Sequence, residues 1–112
     1  MGGTFRGFCT YYNLVGRKTA SGEMFNQNGM NAAMTAEKTP LGATVRVKSE
    51  TSGKTIRVRV NDRGPFQRGA DKKAIRPLQP DKEIVIDLTP AAFREPTGGL
   101  GMGKVWVTVE VP

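Results

Sequence analysis

Between Thr55 and Val60 the chain alternates strictly, with Ile56, Val58 and Val60 on one side and Thr55, Arg57 and Arg59 on the other. A period of two marks a strand with one buried face. The same period governs residues 43–48, where Val45 and Val47 alternate with Thr44, Arg46 and Lys48. The polar stretch Ser49 to Gly53 between these two segments predicts a hairpin. Lys104 to Val111 puts Val105, Val107, Val109 and Val111 on one face and Trp106, Thr108 and Glu110 on the other. Glu83 to Leu88 is a short, nearly continuous apolar run, and residues 4–12 are rich in aromatic and small β-prone residues. Cys9 within that first segment reads as a small core hydrophobe.

The punctuation between these segments is equally informative. The strand that begins at Thr55 stops at Asp62-Arg63-Gly64-Pro65, since Gly permits positive φ and Pro supplies no ladder donor. Thr89 and Pro90 open a helix over residues 89–95, as N-cap and first helical position. Asn31 to Ala36 predicts a short helix capped by Asn31, ended before Pro40 because a residue preceding proline avoids the helical region. Residues 16–26 form a turn-rich loop in which small residues bracket Glu23, and residues 98–103 a glycine-rich turn. Residues 67–82, interrupted by Pro77 and Pro80, form a long connection, which in a compact domain is more often functional than idle.

A chain of 112 residues corresponds to one domain spanning 1–112. With 1 Cys and no His, an intrachain disulfide, a Cys–His nucleophile pair, a Ser–His triad and a His-based zinc site are all excluded. The formal charge of +7 and the pI near 10 favour a polyanionic partner without choosing among nucleic acid, anionic lipid and a carboxylate-rich cell wall. Aromatic and basic residues are not interleaved as in a nucleic-acid surface, so nucleic acid is not expected. No apolar stretch is long enough to span a membrane. The stretch Met1 to Thr4 lacks the apolar middle of a signal peptide, so export by a trimmed signal, or delivery by a phage particle or secretion machine, is expected.

Two carboxylates stand where strands end. Val60-Asn61-Asp62 and Val85-Ile86-Asp87 both run strand, Asp, two residues, Pro, at a constant offset of 25 residues (87 − 62 and 90 − 65). The echo points to a pseudo-duplicated barrel. A carboxylate at the stopping point of a rigid strand lies at a rim, where chemistry is usually kept. The competing reading for each Asp is a turn or helix-entry cap, and for Glu23 a solvated loop residue.

Four blocks, in order, resemble the signatures of the RlpA-like (rare lipoprotein A) domain: Thr19 to Phe25, Thr39 to Val47, Val58 to Phe66 and Ile86 to Thr89. The resemblance covers nearly the whole chain, and the Asn61-Asp62-Arg63-Gly64-Pro65-Phe66 block is its most specific part. It implies a mainly β fold, a six-stranded double-psi β-barrel with one or two short helices, shared with expansins. It also implies a peptidoglycan lytic transglycosylase that leaves 1,6-anhydro ends. The alternative is a non-catalytic, expansin-like module that binds or loosens wall glycan. By position Asp62 matches the family's essential aspartate and Glu23 its essential glutamate. Asp87 resembles the aspartate of related glycosidase barrels and competes with Asp62 for the proton-donor role. Thr19, Asn61, Arg63 and Trp106 are the candidate substrate-binding residues, Trp106 as a sugar-stacking ring.

Such a reaction needs a carboxylic acid that protonates the leaving oxygen and then, as carboxylate, takes a proton from the muramic C6 hydroxyl. One residue can play both parts, unlike the pair of an ordinary glycosidase, and Asp62, whose surrounding block resembles the family most, is the preferred general acid and base. An acid working near neutral pH needs a pKa well above the ordinary ~3.9 of aspartate; an inward guanidinium would lower it. Arg63 is therefore expected to turn away from Asp62 or to serve substrate. The expected partner is the peptidoglycan glycan strand, met in the wall, the periplasm or outside the cell by a monomer that needs no cofactor or metal.

Overall fold

The structure, a computed structural model, describes residues 2–112; Met1, where the stretch read for a signal peptide begins, lies outside them. Six strands, β1 (Gly3–Tyr11), β2 (Asn31–Ala33), β3 (Thr44–Ser49), β4 (Thr55–Asp62), β5 (Ile84–Leu88) and β6 (Lys104–Val111), close into a barrel in the order β1-β5-β2-β4-β3-β6. One helix, α1 (Pro90–Thr97), follows β5. This is the six-stranded barrel the resemblance implies.

The pairings reveal an internal two-fold relation. Exchanging β1, β2, β3 with β4, β5, β6 carries the parallel pair β1–β5 onto the parallel pair β4–β2, and the antiparallel pair β1–β6 onto β4–β3. The duplication suggested by the repeated Asp is thus present, but Asp62 and Asp87 are not its equivalent positions. The two-fold relates β4 to β1 and β5 to β2, so Thr10 is the counterpart of Asp62 and Ala33 that of Asp87.

The alternating segments fold as their pattern demands. Val45, Val47, Val58, Val60, Val107 and Val109 are all inside, together with Ile86, Leu88 and Met34. Cys9 is fully buried among them, and burial pushes its thiol up to about 12, the behaviour of an inert core residue. Helix α1 presses Ala92 and Phe93 onto this core. Thr89 is its N-cap, accepting from Ala92 N, and Gly98 ends it in the left-handed region at φ +80.

The expected helix over residues 31–36 is instead strand β2 followed by a turn. A six-residue helix gains little from its own hydrogen bonds. As a strand, Asn31–Ala33 pairs with β4 on one side and β5 on the other, closing the barrel, and Ala32 is small enough to sit fully buried between them. Tertiary pairing overrides local preference.

One irregularity positions the site. Ala32 pairs with Val60, but the next residue, Ala33, pairs with Asp62, leaving Asn61 as an extra residue in β4. Bulges of this kind re-aim a side chain. Strict alternation after Val58 and Val60 would send Asp62 into the core; the bulge turns it to the outer face beside Ala33.

Candidate active site

Asp62, Asp87, Tyr12, Ala33 and Phe66 line a cleft of about 170 Å³ on the outer face of the barrel. The two carboxylates reach it by register. Ala33 of β2 faces Asp62 on β4 and Asp87 on β5, so the three residues form one row across three strands. Two strand spacings separate the Asp backbones, roughly 10 Å. The row continues through Thr10, in register with Asp87, to Lys104 of β6.

Asp62 is held by three donors. Its Oδ1 accepts from Ala20 N at 2.9 Å and Arg63 N at 2.9 Å, and its Oδ2 accepts from the Tyr12 hydroxyl at 3.1 Å. It is only 8% exposed. Ala20 is delivered by the tight turn Thr19–Gly22, closed by Gly22 N donating to Thr19 O at 2.9 Å, with Gly22 at φ +92. Ser21 N donates to Asn61 O at 3.0 Å, which docks the turn on the bulge. Thr19 is buried, its Oγ1 within 2.9 Å of Ser21 Oγ and donating to Glu23 O at 3.0 Å. Thr19 therefore shapes the loop, and Asn61 shapes the strand beneath it.

Asp87 meets a different environment. It is 9% exposed, and the Thr10 hydroxyl donates to its Oδ1. Burial raises its pKa, opposed by the Thr10 hydrogen bond and the Arg68 charge and assisted by the charges of Asp81 and Asp62. Arg63 turns away from Asp62, as expected: its Nη1 donates to Thr39 O at 2.7 Å and Met34 O at 3.2 Å, bracing the segment that leads from β2 to β3.

Glu23 does not join the two aspartates. Its side chain is about half exposed and outside the cleft lining, where Arg59 Nη2 donates to its Oε2 at 2.6 Å and Ser21 Oγ to its Oε1 at 3.0 Å. The Arg59 hydrogen bond, followed by that of Ser21, lowers its pKa. Trp106 lies outside the cleft too, 45% exposed on β6, in keeping with the outward packing read from its place among the valines.

Sequence reasoning passed over Tyr12 and Phe66 as site residues. Tyr12 stands beyond the end of β1, 50 positions from the carboxylate it touches, and nothing in local pattern links the two. Burial, followed by the charge and hydrogen bond of Asp62, raises its hydroxyl pKa. Phe66 closes the Asn61–Phe66 block and immediately precedes the long connection, where the bridges Phe66–Pro80 and Arg68–Ala74 help fold one wall of the cleft. Among the described residues no group of three or more Cys, Asp or Glu side chains gathers closely enough to hold a metal ion, and no helix is long and apolar enough to cross a membrane.

Known proteins resemble this arrangement over most of its length. A family described as lytic transglycolase matches residues 4–105. A probable endolytic peptidoglycan transglycosylase RlpA of Nostoc sp. is 38% identical over 112 residues, which is 96% of this chain and 26% of that protein. The endolytic peptidoglycan transglycosylase RlpA of Neisseria meningitidis serogroup A is 52% identical over 96 residues, 85% of this chain and 33% of that protein. The chain thus spans about a quarter to a third of these relatives' length. Among solved structures, a Streptomyces papain inhibitor aligns at a TM-score of 0.64 and 28% identity, covering 97% of this chain and 94% of the inhibitor. An expansin of Clavibacter michiganensis aligns at 0.66 and 20% identity, covering 97% of this chain and 50% of the expansin, a likeness of fold. With the motif-bearing segments assembled around one cleft and a family match spanning most of the barrel, the chain belongs to the lytic transglycolase family of double-psi β-barrels.

Proposed function

We propose that the chain cleaves peptidoglycan glycan strands between N-acetylmuramic acid and N-acetylglucosamine, leaving 1,6-anhydro ends, with Asp62 and Asp87 as the working carboxyls. The observation that carries this reading is the pair itself: two nearly buried carboxyls in one cleft, in unlike surroundings. One is buried with a single hydroxyl donor and a raised pKa, the other is held by three donors, and such a pair suits the division of an acid and a base between them. The relatives' names, which describe transglycosylases acting on peptidoglycan, support the substrate class and a place of action in the wall or periplasm.

The chemistry follows from the surroundings. Asp87, whose burial favours the neutral form, gives its proton to the leaving oxygen as the bond from muramic C1 breaks. Asp62, steadied by Ala20, Arg63 and Tyr12, accepts the proton of the muramic C6 hydroxyl as that oxygen bonds to C1. Asp62 ends protonated and Asp87 ionised, and exchange with solvent restores both. The single-carboxyl scheme outlined for Asp62 becomes a two-carboxyl scheme because two carboxyls line the cleft. Glu23 and Thr19 act through the loop that presents Ala20, Asn61 through the bulge, and Arg63 through the braced segment.

The test is digestion of purified peptidoglycan, with and without stem peptides, followed by mass spectrometry of the soluble fragments. Anhydro ends are expected. Reducing ends that incorporate oxygen from labelled water would make the protein a hydrolase, since a spacing of this order also leaves room for a water between carboxyls. Binding without any cut ends would leave a wall-binding module.

A further inference from the structure

We infer that the outer face beside the cleft carries a second glycan subsite, in which a sugar ring stacks on Trp106 and Lys104 pairs with a carboxylate carried by the same strand. This rests on the proposed function and extends it to a part of the surface that the chemistry itself does not use.

Trp106 is the chain's 1 Trp, and it is 45% exposed on a strand whose other face is wholly valine. Leaving so large a ring in water forgoes the stabilisation that burial would give it. The ring is not loose, for Phe8, its register partner on β1, packs against it edge to face with centroids 5.0 Å apart. A pre-oriented aromatic plane loses little conformational freedom when a ligand settles on it. The C–H face of a pyranose is flat and weakly apolar, and such a plane is what it stacks on.

The charge beside the ring has a matching character. Lys104 Nζ lies 4.5 Å from the Phe8 ring centroid. Among the described residues no carboxylate pairs with it. An ammonium held over an aromatic face keeps free donors for an anion. A peptidoglycan strand offers one at each muramic unit, whose lactyl ether ends in a carboxyl group.

Position joins this platform to the cleft. Lys104 is in register with Thr10, and Thr10 with Asp87. By strand spacing Lys104 lies roughly 10 Å across the sheet from Asp87, and Trp106 is two residues further along β6. A strand threaded past Asp62 and Asp87 and continuing along this row meets Lys104, with Trp106 beside it one step along the same face of β6. Arg6 and Lys48 flank Thr108 in register, and Glu50 accepts from the Thr108 hydroxyl at 2.6 Å, so the uncompensated charge of the platform is that of Lys104 beside the ring.

Because the chain has 1 Trp, its tryptophan emission, excited at the red edge where tyrosine does not absorb, reports on this ring alone. Titration of the protein with soluble peptidoglycan strands that have free lactyl carboxyls is expected to give a saturable change in Trp emission. Lys104→Gln is expected to weaken it about threefold to fivefold, as loss of an exposed ion pair does. The same substitution should leave the response to uncharged chitin oligosaccharides unchanged. Trp106→Ala is expected to weaken sedimentation with insoluble peptidoglycan about tenfold, as loss of an aromatic anchor does. Strands that are cut to anhydro ends without any change in emission would overturn the subsite and leave the proposed function standing. A saturable change without cut ends would sustain the subsite and remove the enzymatic reading; neither response would remove both. Tighter binding of an RNA or DNA oligonucleotide to the same ring would overturn the glycan as occupant.

Discussion

Asp62 on β4 and Asp87 on β5 face the same residue, Ala33, from opposite sides. This relationship makes two separate sequence signals into one site. Asp62→Asn is expected to reduce release of anhydro fragments about 10²–10⁴-fold, the range for loss of a general acid or base. The fold should persist, because an Asn Oδ1 still accepts from Ala20 and Arg63 and its amide can donate to Tyr12. Asp87→Asn is expected to cost a similar factor. Activity retained in Asp62→Asn and lost in Asp87→Asn would leave Asp87 alone as both acid and base.

Asp87 also predicts a pH dependence of stability. Its folded pKa is raised, so the native state holds the proton more tightly than the unfolded chain, where the value is about 3.9. Across the window from there up to the folded pKa, the folded form carries one more proton and stability falls as pH rises. Asp87→Asn removes this loss. Denaturant midpoints measured from pH 4 to pH 8 should fall less in the variant than in the parent. Activity should decline over the same rise in pH as the donor ionises.

Tyr12→Phe keeps the ring, which packs 5.0 Å from Phe25, and removes the donor to Asp62 Oδ2. The stability cost is expected to be about 1 kcal/mol. A positioning role predicts more than that: kcat should fall with little change in KM, because Asp62 has lost a donor that orients it. A variant altered in stability but not in kcat would make the contact merely structural.

Gly22 stands at φ +92, and a Cβ added there would meet no atom within 4 Å. Gly22→Ala therefore probes backbone strain alone, expected at about 1 kcal/mol or more. Any relaxation of the turn withdraws Ala20 N from Asp62. Cleavage should fall further than the melting temperature suggests, measured by comparing both at a temperature where the variant is fully folded.

Thr89 ties the helix to the loop before β2. Its Oγ1 accepts from Ala92 N at 3.4 Å and donates to Gly29 O at 2.5 Å. Thr89→Ala is expected to destabilise by about 1–2 kcal/mol, while Thr89→Ser, which keeps the oxygen, should recover most of the loss in chemical denaturation.

Much of this was legible in the chain. The valine alternation of β3, β4 and β6 needs no partner to be recognised, and Thr89-Pro90 announces its helix. β2 was not legible, because three residues carry too little period to outweigh an N-cap and alanines; its strand form comes from the two neighbours that flank it. The carboxylates were found through motifs, but their partners were not. Tyr12 reaches Asp62 across 50 residues, and Thr10 reaches Asp87 across 77, by closure of the barrel. The repeated strand-Asp-Pro pattern suggested duplication correctly but named the wrong equivalence, since topology pairs Asp62 with Thr10 and not with Asp87.

The extra residue at Asn61 gives the strand a kind of parity. Asp62 stands an even count from Val58, which by alternation alone would set it among the valines; because the bulge absorbs Asn61, it falls in the cleft. Two chains of almost identical composition, hydropathy and strand content would then differ in having a site at all. What distinguishes a reactive barrel from an inert one at this position is neither a residue type nor a motif taken alone. It is whether β4 absorbs its extra residue in a bulge before the chain arrives at its aspartate.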